Sequence, residues 1–218
     1  MSGARRVPAA AAGVSEAIRT LRAGGLVVIP TDTVYGIAVD LRTQGGVERL
    51  FAAKRRPPDK AIMVLVDGID QLEGLVELSP AALVLAAAGW PGGLTLVLPL
   101  RDVARLPAAL TAGTATLGVR MPNHAVPRTI ARAIGPLPTT SANRSGEPDA
   151  LDAAAADSAL GDEVDLVVDG GPVRGGVAST VVDCTAVRPR VLRVGAIAPT
   201  ILAAALDEAG IGHDIEGP

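Results

Sequence analysis

The sequence has few of the residues on which several common kinds of functional site depend. Its single cysteine, Cys184, excludes an intramolecular disulfide framework and is typical of a reducing compartment. The two histidines, His124 and His213, lie far apart and have no cysteine cluster near them, so no metal site is expected. Neither a P-loop nor a dinucleotide-binding glycine pattern is present. Any chemistry must therefore come from other residues.

Aromatic residues, excess positive charge and long apolar runs are scarce as well. Only Phe51, Trp90 and Tyr35 are aromatic, so the core must be aliphatic. A formal net charge of −3 and a pI near 5.4 give no support for a general nucleic-acid-binding face. No apolar run is long enough to span a membrane, and the N-terminal one is too short for a typical signal peptide. We expect a cytoplasmic protein that does not bind membranes.

What the sequence does contain is an alternation of helical and strand patterns along 218 residues, 49% of them hydrophobic. This predicts one α/β domain with a large sheet, parts of which are antiparallel because several strands are too close in sequence for helical crossovers. Strands are expected at LVVIP, YGIAVDL, AIMVLV, LTLVLPL, TLGVRMP, PLPTTSAN, LVVDGG, STVVDCT and VLRVGAI. Helices are expected around 14–21, 47–51, 81–89, 124–134, 151–160 and 199–209, with Ser79 as an N-cap and His124 as a helix-start residue.

Both lysines of the chain, Lys54 and Lys60, lie in the segment KRRPPDK, whereas the other eighteen basic residues are arginines. Pro57 and Pro58 stiffen this segment, so its cations lose less entropy on binding an anion. Arg56 can bind a phosphate in bidentate fashion, and the lysines act as point charges, which suits a di- or triphosphate. The alternative is a solvated charge run that complements the dipole of the preceding helix.

Further polar insertions interrupt the apolar pattern near the ends of predicted strands, where α/β sheets bind ligands. They are PTDTVYG (30–36), Arg120 within TLGVRMP, PTTSANRSG (138–146), Ser179-Thr180 and Arg193. Each has a plain alternative, such as a polar turn or an arginine that faces water. Together they indicate a cationic pocket lined by hydroxyl groups, without an evident nucleophile or metal cage.

These motifs occur in an order and at spacings that resemble the YrdC/Sua5 family of threonylcarbamoyl-AMP synthases. The motifs are PTDTVYG, K-x-R-P with a following Lys, WPGGLTLVLP, VRMP-x-H, TSAN-x-SG, ASTVVD and VLRVG, and they cover residues 15 to 197. The resemblance implies a twisted, open, mixed α/β sheet with flanking helices and a cationic concave face. It also implies a single YrdC-like domain over 1–218, closed by a helix near 199–209.

The resemblance implies that L-threonine, bicarbonate or CO2, and ATP condense to threonylcarbamoyl-AMP and pyrophosphate, with Mg²⁺ carried on the triphosphate. A separate transferase complex would then use the product for the N6-threonylcarbamoyladenosine modification of tRNA. By motif, Lys54 and Arg56 would be catalytic. The residues implied for ATP are Arg56, Lys60, Thr116, Ser141, Asn143 and Arg193, and those for threonine are Thr33, Arg120, Thr139 and Ser179.

Two other functions remain open on the sequence. One is a non-catalytic factor that binds double-stranded RNA or tRNA weakly, or matures ribosomes, through the same basic concave face. The other is a transferase that uses carbamoyl phosphate without ATP. The hydroxyl-rich TDT and TSAN segments suit a small buried ligand better than a duplex.

Overall fold

The computed structural model describes residues 4–102, 106–173 and 176–216. Its strands are β1 Arg5–Pro8, β2 Val27–Ile29, β3 Gly36–Ala38, β4 Met63–Leu65, β5 Leu94–Pro99, β6 Thr116–Arg120, β7 Leu137–Ser141, β8 Leu166–Asp169, β9 Thr180–Asp183 and β10 Arg190–Arg193. Its α-helices are α1 Ala11–Arg22, α2 Gly46–Lys54, α3 Pro80–Gly89, α4 Ala108–Thr111, α5 Ala125–Ile134, α6 Ala153–Leu160 and α7 Pro199–Glu208. No helix among the described residues has both the length and the apolar composition needed to cross a bilayer.

The predicted mixed α/β fold is confirmed. All ten strands form one sheet in the order β1-β8-β2-β3-β7-β4-β6-β5-β9-β10. The pairs β1/β8, β8/β2, β4/β6 and β5/β9 are parallel, and the other neighbours are antiparallel. All nine predicted strands and six predicted helices occur, with ends shifted by a few residues. Strand β1 and the short helix α4 were not predicted from the sequence.

Local capping explains where two of the helices begin. The Ser79 hydroxyl accepts a hydrogen bond from the backbone N–H of Ala82 at 3.2 Å, and Pro80 occupies the first turn of α3. His124 caps α5, because its Nδ1 accepts from the N–H of Val126 at 3.2 Å. The prediction of His124 as a helix-start residue is therefore confirmed.

The two faces of the sheet are covered to different extents. On one face, α2, α3, α6 and α7 pack on a core that reaches from Val28 and Ile37 across to Leu96 and Val182. On the other face, α1 and α5 pack on a smaller core whose strand residues come from β2, β3, β4, β7 and β8. Among the described residues, this smaller core includes none from β5, β6, β9 or β10. The second helical layer therefore stops partway across the sheet.

Candidate nucleotide and amino-acid pocket

A cavity of about 310 Å³ lies where the second helical layer stops. Side chains on one strand alternate between faces, so Met63 lies on the same face as Leu65, a member of the smaller core. Register places Met63 opposite Gly118 of β6 and opposite Thr139 of β7, and all three line the cavity. The cavity therefore lies on the uncovered half of the sheet face.

Eight of the eleven predicted site residues line this cavity. They are Thr33, Arg56, Thr116, Arg120, Thr139, Ser141, Ser179 and Arg193. The cavity lining includes neither Lys54, Lys60 nor Asn143. Segments from six separate parts of the chain thus converge as the sequence predicted, although the individual roles of these residues stay predictions.

Gly118 leaves open the middle of the cavity floor. It lies between Thr116 and Arg120 on β6, where its missing side chain leaves space between the two polar groups. Val97 of β5 is its partner in the antiparallel register. A small residue here lets a ligand approach the sheet backbone closely.

Arg120 is the most buried cation of the cavity lining, with 4% of its surface exposed. Its Nη2 lies 2.5 Å from Asp32 Oδ1, its Nη1 donates to Thr33 Oγ1 at 2.7 Å, and its Nε donates to Gly92 O at 2.9 Å. Burial lowers the pKa of the guanidinium, and the Asp32 carboxylate opposes that shift. The alternative of an arginine that faces water is excluded.

The PTDTV segment is both a turn and part of the site. Thr31 makes the turn, since its hydroxyl accepts from the N–H groups of Thr33 and Val34 and donates to Val34 O at 2.6 Å. Thr33 is 3% exposed, and its hydroxyl is oriented toward Arg120 by their hydrogen bond. Of the two alternatives for this segment, the polar turn thus applies to Thr31 and the pocket residue to Thr33.

A second cationic group lies at the β5–β9–β10 side of the cavity. Arg193 donates from Nη2 to Ser179 O at 2.8 Å and to Ser179 Oγ at 3.2 Å. Ser179 Oγ also lies 2.8 Å from Thr95 Oγ1. The β9/β10 register shifts between Val191 and Arg193, so the strand pairing is irregular next to Arg193.

Arg56 lines the cavity, whereas the neighbouring basic residues do not. Its Nε donates to Lys60 O at 2.9 Å and its Nη2 donates to Ala61 O at 2.8 Å, and these bonds hold the loop after α2 closed. The guanidinium also lies 5.6 Å above the Phe51 ring, a cation–π distance. Burial lowers its pKa. The side chains of Arg55 and Lys60 are exposed.

Lys54 lies behind the cavity wall rather than in it, and only 1% of its surface is exposed. Its ammonium donates to the backbone oxygens of Ser141 and Asn143, and to Asn143 Oδ1 at 3.0 Å. Its own carbonyl accepts from Ser145 N at 2.9 Å. Lys54 therefore fastens the segment after β7, and it presents no charge to the cavity in this conformation.

The same segment is stabilised from within by Asn143. Its Oδ1 accepts from Ser141 Oγ at 2.5 Å, and its Nδ2 donates to Glu147 O at 2.5 Å. Asn143 is 6% exposed. Of the residues predicted in PTTSANRSG, Thr139 and Ser141 thus line the cavity while Asn143 supports them.

Sequence reasoning missed several lining residues, among them Thr95, Met63 and Asp149. Thr95 lies in the apolar strand LTLVLP and is only 3% exposed. The available signal in the sequence was a hydroxyl residue within an apolar run. Met63 gave no signal, because a methionine in AIMVLV is typical of a core. The described part of the chain contains no group of three or more His, Cys, Asp or Glu side chains arranged to hold a metal ion.

Cys184 is expected to be chemically inert in the folded protein. It is buried at the end of β9, and burial raises the pKa of its thiol to about 12, with Asp183 adding to the effect. Iodoacetamide at pH 8 should therefore leave the native chain unmodified and alkylate it only after unfolding, as mass spectrometry can measure. Rapid alkylation of the native chain would contradict this expectation and show that the Cys184 thiol is reactive.

Fold and site together define an α/β protein with a hydroxyl-rich pocket lined by three arginines, and comparisons with known proteins specify its family. Residues 19–195 match the model of the Sua5/YciO/YrdC family, which is described as telomere recombination. A Mycobacterium tuberculosis protein, provisionally named threonylcarbamoyl-AMP synthase, is 41% identical over 89% of each chain. The chain belongs to the Sua5/YciO/YrdC family.

Two further relatives are longer than this chain. The Bacillus subtilis threonylcarbamoyl-AMP synthase is 38% identical over 84% of this chain and 54% of its own length. The crystal structure of Pyrococcus abyssi Sua5 complexed with L-threonine superposes with a TM-score of 0.86 at 34% identity, over 96% of this chain and 61% of that one. The chain thus spans little more than half the length of these two relatives.

Proposed function

We infer that this chain is a threonylcarbamoyl-AMP synthase. It condenses L-threonine, bicarbonate or CO2, and ATP into threonylcarbamoyl-AMP and pyrophosphate for the tRNA modification named above. The observation that carries this inference is one cavity that combines a buried Arg120–Thr33 pair with Arg56 and Arg193, in a chain of this family. An amino-acid carboxylate and a nucleotide phosphate both need such cations.

The Arg120 end suits the threonine. Three of the five guanidinium N–H groups bond Asp32, Thr33 and Gly92, which leaves two without a partner in the described part of the chain. A carboxylate can take both, because a guanidinium recognises carboxylates in bidentate fashion. The fixed orientation of Arg120 then holds the amine of the bound threonine in one place, which favours reaction by proximity.

The Arg56 and Arg193 sides suit the nucleotide. The amine nitrogen of threonine attacks the carbon of CO2 and loses a proton, which gives a carbamate. A carbamate oxygen then attacks the α-phosphorus of ATP, and the bond from that phosphorus to the bridging oxygen breaks to release pyrophosphate. The two arginines neutralise charge on the phosphates, a stabilisation that grows in the transition state. Mg²⁺ carried on the triphosphate would neutralise phosphate charge, and Asp149 is the carboxylate in the described lining that would be available to hold it.

Pyrophosphate release tests this proposal directly. The protein is incubated with ATP, L-threonine and labelled bicarbonate, and we expect release that requires all three, together with label in an adenylate product. Release without threonine or without bicarbonate would contradict the synthase proposal. Activity with carbamoyl phosphate in the absence of ATP would indicate the carbamoyl transferase instead.

The RNA-binding alternative gains no support from the site. Arg120, Thr33, Thr139 and Ser179 are each less than 5% exposed, so a rigid duplex cannot reach them. We propose that the product passes to a separate threonylcarbamoyl transferase. Weak direct binding of tRNA would require a surface outside this cavity.

A further inference from the structure

The end of helix α2 is closed by a turn that fixes the backbone of Arg56. Arg55 N donates to Ala52 O at 3.0 Å, and Arg56 N donates to Phe51 O at 2.9 Å. Arg55 itself adopts the left-handed conformation, with φ 51° and ψ 41°. These two hydrogen bonds around a left-handed residue form a Schellman motif, in which the second residue after the helix commonly contacts a side chain of its last turn. The motif therefore brings Arg56 back against Phe51.

A cation–π contact stands where a Schellman motif usually has an apolar one. Phe51 is 7% exposed, and the guanidinium carbon of Arg56 lies over its ring, 5.6 Å from the centroid. A cation within about 6 Å of an aromatic face is attracted to it, and the attraction is larger where water is excluded. Arg56 is half-buried at this point. The ring therefore supports the guanidinium from the side of the helix.

Two carbonyl oxygens hold the guanidinium from a second side. Arg56 Nε donates to Lys60 O at 2.9 Å, and its Nη2 donates to Ala61 O at 2.8 Å. These bonds use two of the five guanidinium N–H groups, which leaves three without an acceptor in the described part of the chain. Because Arg56 lines the cavity, these three N–H groups are available to an anion there.

We propose that Phe51 is a positioning residue for the reaction: its ring and the turn at Arg55 together hold the Arg56 guanidinium in the orientation that meets the nucleotide phosphates. The proposal rests on the proposed function, because it takes Arg56 as a phosphate ligand. Phe51 does not line the cavity, so it acts only through Arg56. Without the ring, the guanidinium keeps its charge but reaches further orientations, and these must be given up again when ATP binds.

The test compares ATP binding, measured by calorimetry, and kcat/KM for ATP in the wild type, Phe51→Leu and Phe51→Tyr. Leucine keeps an apolar side chain without an aromatic face, whereas tyrosine restores the face. We expect Phe51→Leu to weaken ATP binding and to lower kcat/KM for ATP by about 10-fold, as loss of a partly desolvated cation–π contact does. Phe51→Tyr should stay within about 3-fold of the wild type. Unchanged ATP affinity in a folded Phe51→Leu variant would overturn the proposal.

An Arg56→Met background separates positioning from a general structural role. If Phe51 acts through Arg56, adding Phe51→Leu to Arg56→Met should lower the ATP affinity by less than about 2-fold further. Equal losses in both backgrounds would show a structural role and overturn the proposal. Val47→Ala is the matched control, because Val47 lies one turn earlier on α2, is buried in the same core and does not line the cavity. It should lower the thermal midpoint while ATP affinity stays within about 2-fold of the wild type.

The turn is tested at Arg55, whose side chain is exposed. Arg55→Gly and Arg55→Val remove the same charge, but only glycine adopts the left-handed conformation without strain. We expect Arg55→Gly to raise the thermal midpoint and to bind ATP at least about 3-fold more tightly than Arg55→Val, in which strain disturbs the turn. Equal ATP affinities of the two folded variants would overturn the role of the turn.

Calorimetry also separates this proposal from the synthase proposal. If pyrophosphate is not released but ATP binds, and Phe51→Leu weakens that binding only when Arg56 is present, the positioning role stands and the synthase reaction falls. If release depends on threonine and bicarbonate but Phe51→Leu changes neither ATP affinity nor turnover, only the positioning role falls. If the wild type neither binds ATP nor releases pyrophosphate, both fall.

Discussion

Replacing Arg120 with alanine is expected to lower kcat/KM for L-threonine by about 10²- to 10³-fold. Loss of one partner from a buried, hydrogen-bonded charge pair costs about 3–5 kcal/mol, much of it from the charge left behind. Here the variant loses the proposed carboxylate anchor, and Asp32 loses the partner that lies 2.5 Å away. Steady-state kinetics with threonine varied at saturating ATP measure the effect.

Arg120→Lys refines this expectation. A lysine keeps the positive charge but cannot bond Asp32, Thr33 and a substrate carboxylate in one plane, so we expect an intermediate loss of at least about 10-fold. Arg101→Ala is the control, because Arg101 donates to Val76 O outside the cavity. If kcat/KM falls for ATP alone and threonine binding stays intact, Arg120 does not hold the amino acid.

Replacing Lys54 with methionine is expected to reduce both turnover and stability. The variant leaves the oxygens of Ser141 and Asn143 without the ammonium that joins them, and one unsatisfied buried acceptor costs about 1–3 kcal/mol. Because Ser141 lines the cavity, loosening this segment should lower kcat about 10²-fold, as does removal of a group that positions a substrate. Kinetics and denaturant unfolding measure the two effects.

The pH dependence of Lys54 has a definite sign. Burial lowers the pKa of its ammonium from 10.5 to about 8, and Arg56 acts in the same direction. Between these two pH values the unfolded chain binds more protons than the folded one, so stability rises with pH. Below about pH 8 both states are protonated and the burial penalty is fully present.

The difference in unfolding free energy between wild type and Lys54→Met isolates this contribution. The unfolding free energy of the wild type minus that of Lys54→Met should increase by up to about 3 kcal/mol as the pH rises from 7 to 10.5. Lys60→Met is the matched stability control, because it makes the same substitution at an exposed lysine. A difference that is flat with pH would contradict the lowered pKa. A fully active Lys54→Met enzyme would contradict the anchoring role.

Features fixed by neighbouring residues could be predicted from the sequence. The apolar run AIMVLV predicts β4, and Ser79-Pro80 predicts the start of α3, because a strand run and a helix cap each depend on a few adjacent residues. Strand β1 could not be found, since RRVP is short and polar and gains its stability from pairing with β8, more than 150 residues away. The order of the ten strands depends on such distant pairings.

The candidate site also combines features that neighbouring residues predict with features that depend on distant parts of the chain. The sequence indicates that KRRPPDK contributes cations, yet of its four basic side chains only that of Arg56 lines the cavity. Lys54 and Lys60 carry the same charge and lie six residues apart, but one is buried behind the wall and the other is in solvent. That difference depends on where β7 ends in space, and no spacing within the loop encodes it. Thr95 and Met63 were missed because each lies in an apolar strand run, whose pattern does not show which of its residues line a cavity.

The early end of the α1/α5 layer has a consequence for how this protein can change over evolutionary time. Because no helix covers β5, β6 and β9 on the cavity side among the described residues, cavity-lining side chains such as Val97 and Thr116 are not part of the smaller helix-packed core. Substitutions at these half-buried positions can reshape substrate choice while costing little folding free energy. Lys54 and Arg120 are the exceptions, because their buried hydrogen bonds hold the segments of the cavity wall together. Selection can therefore retune most of this pocket, but it cannot easily release those two residues.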